Sequence, residues 1–261
     1  MSEHTLTIVK QNGESFMIST NEGMRVLTYV PSSPLFQTEY EKLSGRHGLI
    51  DVGGAFEAQD NIKSRIYFRS KNIHDFCVFR DQIFRLFASQ DPFYIISSRA
   101  PEKRWKVRVA SRYEIEPKGK GTYGVFDITF RSSDAFAEST YSTLEWIQVD
   151  YTRTTSHFTI HNKGDVEIDP RQMPLRITFK GASENLKIKN KTTKEEWTYT
   201  GITTDKDTIV IDQVRSTKNS LSIVRDTNKK VISLQTGINE FEIIGATGAF
   251  SISFDFRFQY L

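Results

Sequence analysis

Phe250-Ser-Ile-Ser-Phe-Asp-Phe-Arg-Phe-Gln-Tyr260 decides the fold. Phe250, Ile252, Phe254, Phe256, Phe258 and Tyr260 fall on one side, and Ser251, Ser253, Asp255, Arg257 and Gln259 on the other. Strict alternation of this kind is a β-strand with one buried face. Burying six such side chains contributes roughly 9 to 18 kcal/mol, and ordering eleven backbones costs about 11 to 22 kcal/mol. The strand therefore needs paired neighbours, and the carboxyl terminus is expected inside a sheet.

Working back from that strand, most of the chain reads with the same period of two. Leu6 and Ile8, Ile66 and Phe68, Trp105, Val107 and Val109, and Phe126, Ile128 and Phe130 alternate with polar residues. So do Leu175, Ile177 and Phe179, then Leu186 and Ile188, then Phe241 and Ile243. Turn residues separate the runs: Gly13, Asn21 to Gly23, Gly119 to Gly121, Gly181, Gly201 and Asn228. Between Asn72 and Ser89 the period changes. Phe76, Phe79, Ile83, Leu86 and Phe87 are spaced by three and four, Cys77 and Val78 widen the apolar face, and Asp91-Pro92 ends the pattern. This predicts an amphipathic helix over 73–88.

A helix packed on a β-rich first half, followed by a helix-poor second half, predicts two domains of different build. Ser132 to Thr143, small and polar after a strong strand, marks the seam, and the expected domains are 1–140 and 141–261. A chain of 261 residues with 38% hydrophobic and 26% charged residues has the composition of a globular protein with a real core. Nineteen Phe and ten Tyr supply aromatic anchors for β-rich cores and interfaces. Lys plus Arg is 35 against 32 Asp plus Glu, and this near balance does not mark a nucleic-acid binder. The lone Cys77 has no partner for an internal disulfide. Met1 to Gln11 lacks a signal pattern, and no apolar run reaches membrane length. Folding in a reducing cytosol, without membrane insertion, is expected.

Catalytic patterns are weak throughout. His157 and His161 on one strand would stand about 13 Å apart, too far for a shared metal, and solvent-facing imidazoles are expected. Cys77 on the apolar side of its helix reads as a small buried thiol. Glu195 and Glu196 point to opposite faces of a strand and read as a solvated edge. Gly45-Arg-His-Gly48 with Gly53-Gly54, and Gly119-Lys-Gly-Thr-Tyr-Gly124, lack the context of phosphate loops and read as turns. Arg99, Lys103, Arg104, Lys106, Arg108 and Arg112 surround an alternating run, and an exposed hairpin accounts for them better than a nucleic-acid track. No enzyme activity, cofactor or metal is expected.

The order of motifs carries more than any one of them. Gly45-Arg46-His47-Gly48, the helix Asn72 to Ala88, Phe126-Asp-Ile-Thr-Phe130, Asp134-Ala-Phe-Ala137, Asn162-Lys-Gly164, Leu234-Gln-Thr-Gly-Ile-Asn239-Glu-Phe241 and the aromatic terminal strand occur in sequence. In this the chain resembles the distal tail proteins of bacteriophages with long, non-contractile tails, over essentially its whole length. It departs from them at His47, where the family often has an acidic residue, and at Ala135, where it often has proline.

The resemblance implies a mainly β fold. Its N-terminal domain would be a β-sandwich with one packed helix, like that of tail-tube proteins, followed by a C-terminal galectin-like β-sandwich. It also implies a structural virion protein at the tail tip, assembled in the host cytoplasm as a homo-hexameric ring. Such a hub would join the tail tube protein to the tail-associated lysin or tip protein and carry receptor-binding proteins. The tape-measure protein and the phage DNA would pass through its centre, without specific binding of the DNA. A closed ring needs two different patches per subunit. The turn at Gly45 to Gly54 and the hairpin at Arg99 to Arg112 are the expected contributors, with Arg46, His47, Arg104 and Arg108 at the interface. An alternative is a carbohydrate-binding module for host cell-wall polysaccharide, with Trp197 as the stacking platform. Against it, His161-Asn162 runs into Lys163-Gly164 and not into the galectin sugar motif.

Overall fold

The computed structural model describes residues 3–261. The chain divides into two units, one running to Ala137 and taking in Leu261, the other Glu138–Tyr260. Both are built from antiparallel strands, and the protein is mainly β.

In the first unit the strands are β1 (Leu6–Val9), β2 (Ser15–Ile18), β3 (Met24–Val30), β4 (Phe36–Glu41), β5 (Ile50–Phe56) and β6 (Ile62–Arg69). After helix α1 (Ile73–Phe87) come β7 (Phe93–Ser97), β8 (Ala100–Val109), β9 (Pro117–Lys118) and β10 (Tyr123–Arg131). The ladder order is β2-β1-β7-β8-β10-β6-β3, with β9 on β10, while β4 and β5, among the described residues, pair only with each other. Strand β8 serves both halves: Trp105 and Val107 pair with β7, and Arg108 and Val109 with β10. The two halves face one another, since Phe93 of β7 meets Phe130 of β10 at 6.1 Å, and Phe87 of the helix touches both rings.

Helix α1 begins where the sequence predicts. The Asn72 side chain accepts from the Asp75 backbone N–H at 3.0 Å, which satisfies one of the free donors of the first turn. It ends at Phe87 because Ala88 is extended. Phe76, Ile83 and Phe87 are buried, whereas Val78 is exposed and Cys77 half-buried, so the apolar face is narrower than the sequence suggests. Gly124 of β10 lets the helix close on the sheet: a Cβ there would stand 2.3 Å from the Phe68 ring and 3.0 Å from that of Phe76.

The second unit opens in β11 (Ala137–Ser139) and a second, short helix, α2 (Thr143–Ile147), which the apolar spacing did not reveal. Its signal is the cap. Ser142 accepts from the Glu145 N–H, and the Glu145 carboxylate accepts from the Ser142 N–H. There follow β12 (Thr152–Arg153), β13 (His157–Asn162), β14 (Leu175–Asn190), β15 (Glu195–Thr198), β16 (Ile202–Thr203), β17 (Thr208–Asp212), β18 (Arg215–Lys218), β19 (Leu221–Ser222), β20 (Gly237–Phe256) and β21 (Gln259–Tyr260).

Runs that read as separate strands are joined here. Leu175–Phe179 and Leu186–Ile188 lie on one strand, β14, and Phe241–Ile243 is continuous with the aromatic terminal run in β20. The turn signals between them are bulges: the β14–β20 register shifts between Gly181 and Ser183 and again before Lys187, and Asn185 and Gly245 have positive φ. A bulge bends a strand without ending its pairing. The two long strands thereby serve both layers of a sandwich. β12 and β17 pair with one half of the β20–β14 ladder, β13 and β15 with the other. Phe241 and Phe254, from opposite halves of β20, meet in the core at 4.8 Å. The terminal alternation holds from Ile252 through Phe254 and Phe256 to Phe258, all buried, and reverses after the ladder breaks at Arg257 and Phe258, since in β21 Gln259 is buried and Tyr260 half-buried.

Candidate assembly surface

Each expected interface residue has a definite place. Arg46 and His47 are exposed at the tip of the β4–β5 hairpin, between Gly45 and Gly48, both of which have positive φ. Only the tip is a turn: Gly53 and Gly54 lie within β5, where a Cβ on Gly54 would stand 2.2 Å from the Gln37 carbonyl oxygen. Arg104 and Arg108 lie on β8, four residues apart and so on one face. The Arg104 guanidinium stacks on the Tyr94 ring of the neighbouring strand, 3.9 Å from its centroid. Arg108 is exposed and donates to the Gln90 carbonyl oxygen.

Strand β8 is the second arm of a hairpin with β7, closed where Ser97 pairs with Ala100, as its basic composition suggests; at its far end Arg108 and Val109 also pair with β10. Arg104, Lys106 and Arg108 line one face while Trp105 and Val107 enter the core. The structure thus keeps the two arginine positions on two separate elements, a projecting turn and a sheet face.

The hairpin β4–β5 was legible as a turn but not as an arm. Its base is fastened by aromatic contacts: Phe36 meets Phe56 at 5.2 Å, and Phe56 meets Phe136 at 5.2 Å. Beyond this base Tyr40, Leu43, Leu49 and Val52 are all about half exposed. A second surface lies between α1 and the strands β1 to β3. It is a cleft of about 580 Å³ with Ile8, Met24 and Ile83 at its floor, Phe16, Phe79 and Leu86 on its walls and Lys10, Glu14, Glu22 and Arg85 around it. Burial holds the Lys10 pKa below its ordinary value, with the Glu14 carboxylate acting the other way.

The other sequence candidates resolve into structure. Trp197 is buried, and its indole N–H donates to the Ser216 hydroxyl at 3.1 Å, so no ring face is offered to a sugar. This removes the residue on which the carbohydrate-binding alternative rested. His157 and His161 lie exposed on the same side of β13, and His157 Nε2 stands 3.4 Å from a Glu242 oxygen. The Glu195 carboxylate accepts from the Ser233 N–H and hydroxyl at 2.6 and 2.8 Å, so it anchors a loop. Among the described residues no group of three or more His, Cys, Asp or Glu converges as a metal site, and no helix is long and apolar enough to cross a membrane.

Two of the motifs that carried the resemblance, Asn162-Lys-Gly164 and the stretch from Leu234 to Phe241, are turn locks. Buried Asn162 donates to the carbonyl oxygens of Val166 and Leu234 and accepts from the Gly164 N–H, while Gly164 lies so near β21 that a Cβ would stand 2.6 Å from the Gln259 carbonyl oxygen. Buried Asn239 accepts from the Gln235 N–H and from the Asn190 amide and donates to the Gln235 carbonyl oxygen. Each of these side chains satisfies several buried backbone groups at once.

These features define a class. Residues 11–132, nearly the whole first unit, match the model of the phage tail protein RIFT-related domain. Over 97% of its length the fold is similar to that of the Dit protein of phage SPP1, with a TM-score of 0.71, 13% sequence identity and 99% of that chain covered. A chain of the phage p2 baseplate in its activated conformation aligns over 98% of both chains with a TM-score of 0.48 and 9% identity. No curated protein matches the sequence significantly. The resemblance to distal tail proteins read from the sequence is borne out by the domain match and the SPP1 fold.

Proposed function

We propose that the protein is a structural component of the phage tail tip, the subunit of a hexameric hub ring, located in the virion and assembled in the host cytoplasm. The observation that carries this reading is a tail protein domain seated in the very unit that would build the ring. It is supported by the similarity in fold to SPP1 Dit, which is presented as a paradigm of the hub of the adsorption apparatus in phages infecting Gram-positive bacteria. In this role the protein has no catalysis to perform. Its work is to present surfaces: to the tail tube protein above, to the tail-associated lysin or tip protein below, and to receptor-binding proteins outside. The central opening passes the tape-measure protein and the DNA without reading its sequence.

A six-fold ring is closed by a heterologous contact in which one patch of each subunit meets a different patch of the next. Arg46 and His47 on the projecting tip, and Arg104 and Arg108 on the β8 face, are the polar groups we place at that contact. Arg108 is the more available of the two on β8, since Arg104 is stacked on Tyr94.

The test is the absolute mass of the purified chain by light scattering on a sizing column, with negative-stain images of the peak. A ring at about six times the 30.1 kDa chain mass, or a stacked multiple, is expected. A chain that stays monomeric at every accessible concentration, or a closed ring of another number, overturns the hexamer. Charge reversal at Arg46 or Arg108 is expected to weaken ring formation, and intact rings would remove those residues from the contact.

A further inference from the structure

We propose that the outward face of strands β3, β6 and β10 is a phosphate-contacting surface, which meets the backbone of duplex DNA without regard to its sequence. The inference rests on the ring reading above, which brings DNA to the protein.

The near balance of charge over the whole chain hides a local separation. In the strand register Arg69 lies opposite Tyr123 and Tyr123 opposite Lys118. Tyr67 lies between Val125 and Arg25, Arg65 between Asp127 and Thr28, and Lys63 between Thr129 and Val30. Alternation puts these rows on one face, with Arg131 at the end of β10. Two contacts confirm it: Arg65 meets Asp127 at 3.7 Å, and the Tyr67 and Tyr123 rings stand 5.8 Å apart. The other face, with Ile66, Phe68, Phe126 and Ile128, is buried in the core.

Arg25, Lys63, Arg65, Arg69, Lys118 and Arg131 are all exposed. Asp127 is the one carboxylate in these rows, and it is spent on Arg65. Among the described residues the other five cations form no ion pair. Like charges gathered in this way repel one another, so folding gains nothing from them. Their complement lies outside the unit.

The layout favours DNA over a compact anion or an acidic protein. From Lys63 to Arg69 the face runs about 20 Å along β6, a length over which one DNA strand carries about six phosphates. A single anion is held by converging donors, whereas these cations are dispersed in rows. A protein partner meets an interface whose centre is depleted in charge, and the centre here is the Arg65–Asp127 pair. Interfaces with DNA are polar and strongly positive, and Arg, Lys and Tyr side chains all serve phosphates.

The test is the binding of an end-labelled duplex of mixed sequence to the purified chain, read by fluorescence anisotropy across salt concentrations, with the mass of the same sample measured by light scattering. Lys63→Gln, Arg69→Gln and Arg131→Gln together remove half of the cations from the face. Lys180→Gln, Lys206→Gln and Lys230→Gln remove the same charge from the second unit. All of these residues are exposed, so both chains are expected to fold, which circular dichroism checks. The face variant should bind at least tenfold more weakly at about 50 mM salt, with a salt slope shallower by about 2 to 3. The second-unit variant should keep the affinity and slope of the unaltered chain. Asp127→Asn should tighten binding, a gain that a merely structural role does not produce.

Absence of duplex binding at low salt overturns the inference. Equal loss in the two triple variants does so too, because the effect is then one of net charge. Poly-glutamate that binds as tightly as the duplex, and is lost with the same three residues, assigns the face to an acidic protein and overturns the DNA assignment. Rings that form without binding the duplex sink the face and leave the ring reading; face-dependent binding by a chain that stays monomeric sinks the ring and leaves the face.

Discussion

The indole N–H of Trp197 donates to the hydroxyl oxygen of Ser216 across 3.1 Å, and both side chains are buried. That single bond moves Trp197 from a surface role to the centre of the second unit. It packs there in one core with Ile188, Phe241 and Phe254. Trp197→Ala is expected to cost about 3 to 5 kcal/mol of stability, the usual range for deleting a large core aromatic. Thermal or urea unfolding measures it. Retained stability together with loss of binding to a cell-wall polysaccharide would contradict the assignment.

Gly124 sets how closely α1 approaches the sheet. Its substitution by alanine forces the new methyl against the Phe68 ring and then against Phe76. We expect a loss of about 1 to 3 kcal/mol, typical of overpacking a filled core. Alanine at Gly248, where a Cβ meets nothing within 4 Å, is the control and should be close to neutral.

Asn239→Ala removes the acceptor used by the Gln235 N–H and the Asn190 amide, and the donor to the Gln235 carbonyl oxygen. Buried polar groups left without partners cost about 1 to 3 kcal/mol each. The second unit is expected to lose about 2 to 4 kcal/mol, read as a lower urea midpoint at an unchanged slope.

The buried His4 predicts a pH dependence for the first unit. Its Nε2 lies 2.9 Å from the Ser97 hydroxyl oxygen, and burial, assisted by the positive charge of Arg99, holds its pKa below the ordinary 6.5. On unfolding the imidazole gains a proton that the folded protein resists, so the unfolded state binds more protons at low pH. Stability should be full above pH 6.5 and decline as the pH falls below it, until the folded-state value is passed. Urea midpoints compared at neutral and mildly acidic pH test this, and His4→Gln should flatten that part of the profile.

Much of the local structure was legible in the chain. The period-two runs at Trp105, Phe126 and Phe250 are strands, and the three-and-four spacing after Asn72 is a helix that starts at the residue able to cap it. The short helix α2 escaped the periodicity because five residues carry too little pattern, although its Ser142 and Glu145 capping pair was present to be read. The candidate surface was less legible. Arg46 and His47 were placed correctly in a turn, but nothing local told that β4 and β5 pair only with each other or that a cleft lies beside α1.

By itself, then, the sequence determined which segments extend, which one coils, where chain direction can change and which order of turns the chain shares with tail proteins. These are properties of a few neighbouring residues: side-chain period, capping chemistry and the freedom of glycine. Only the tertiary structure decided that Gly181 and Gly245 lie at bends in continuous strands, that the end of basic β8 joins β10, that Trp197 is sealed in a core, and that one hairpin stands outside the main sheet. Each of these depends on which strands pair across long stretches of chain; backbone hydrogen bonds are alike for every partner, so the choice falls to side-chain packing between segments far apart in sequence.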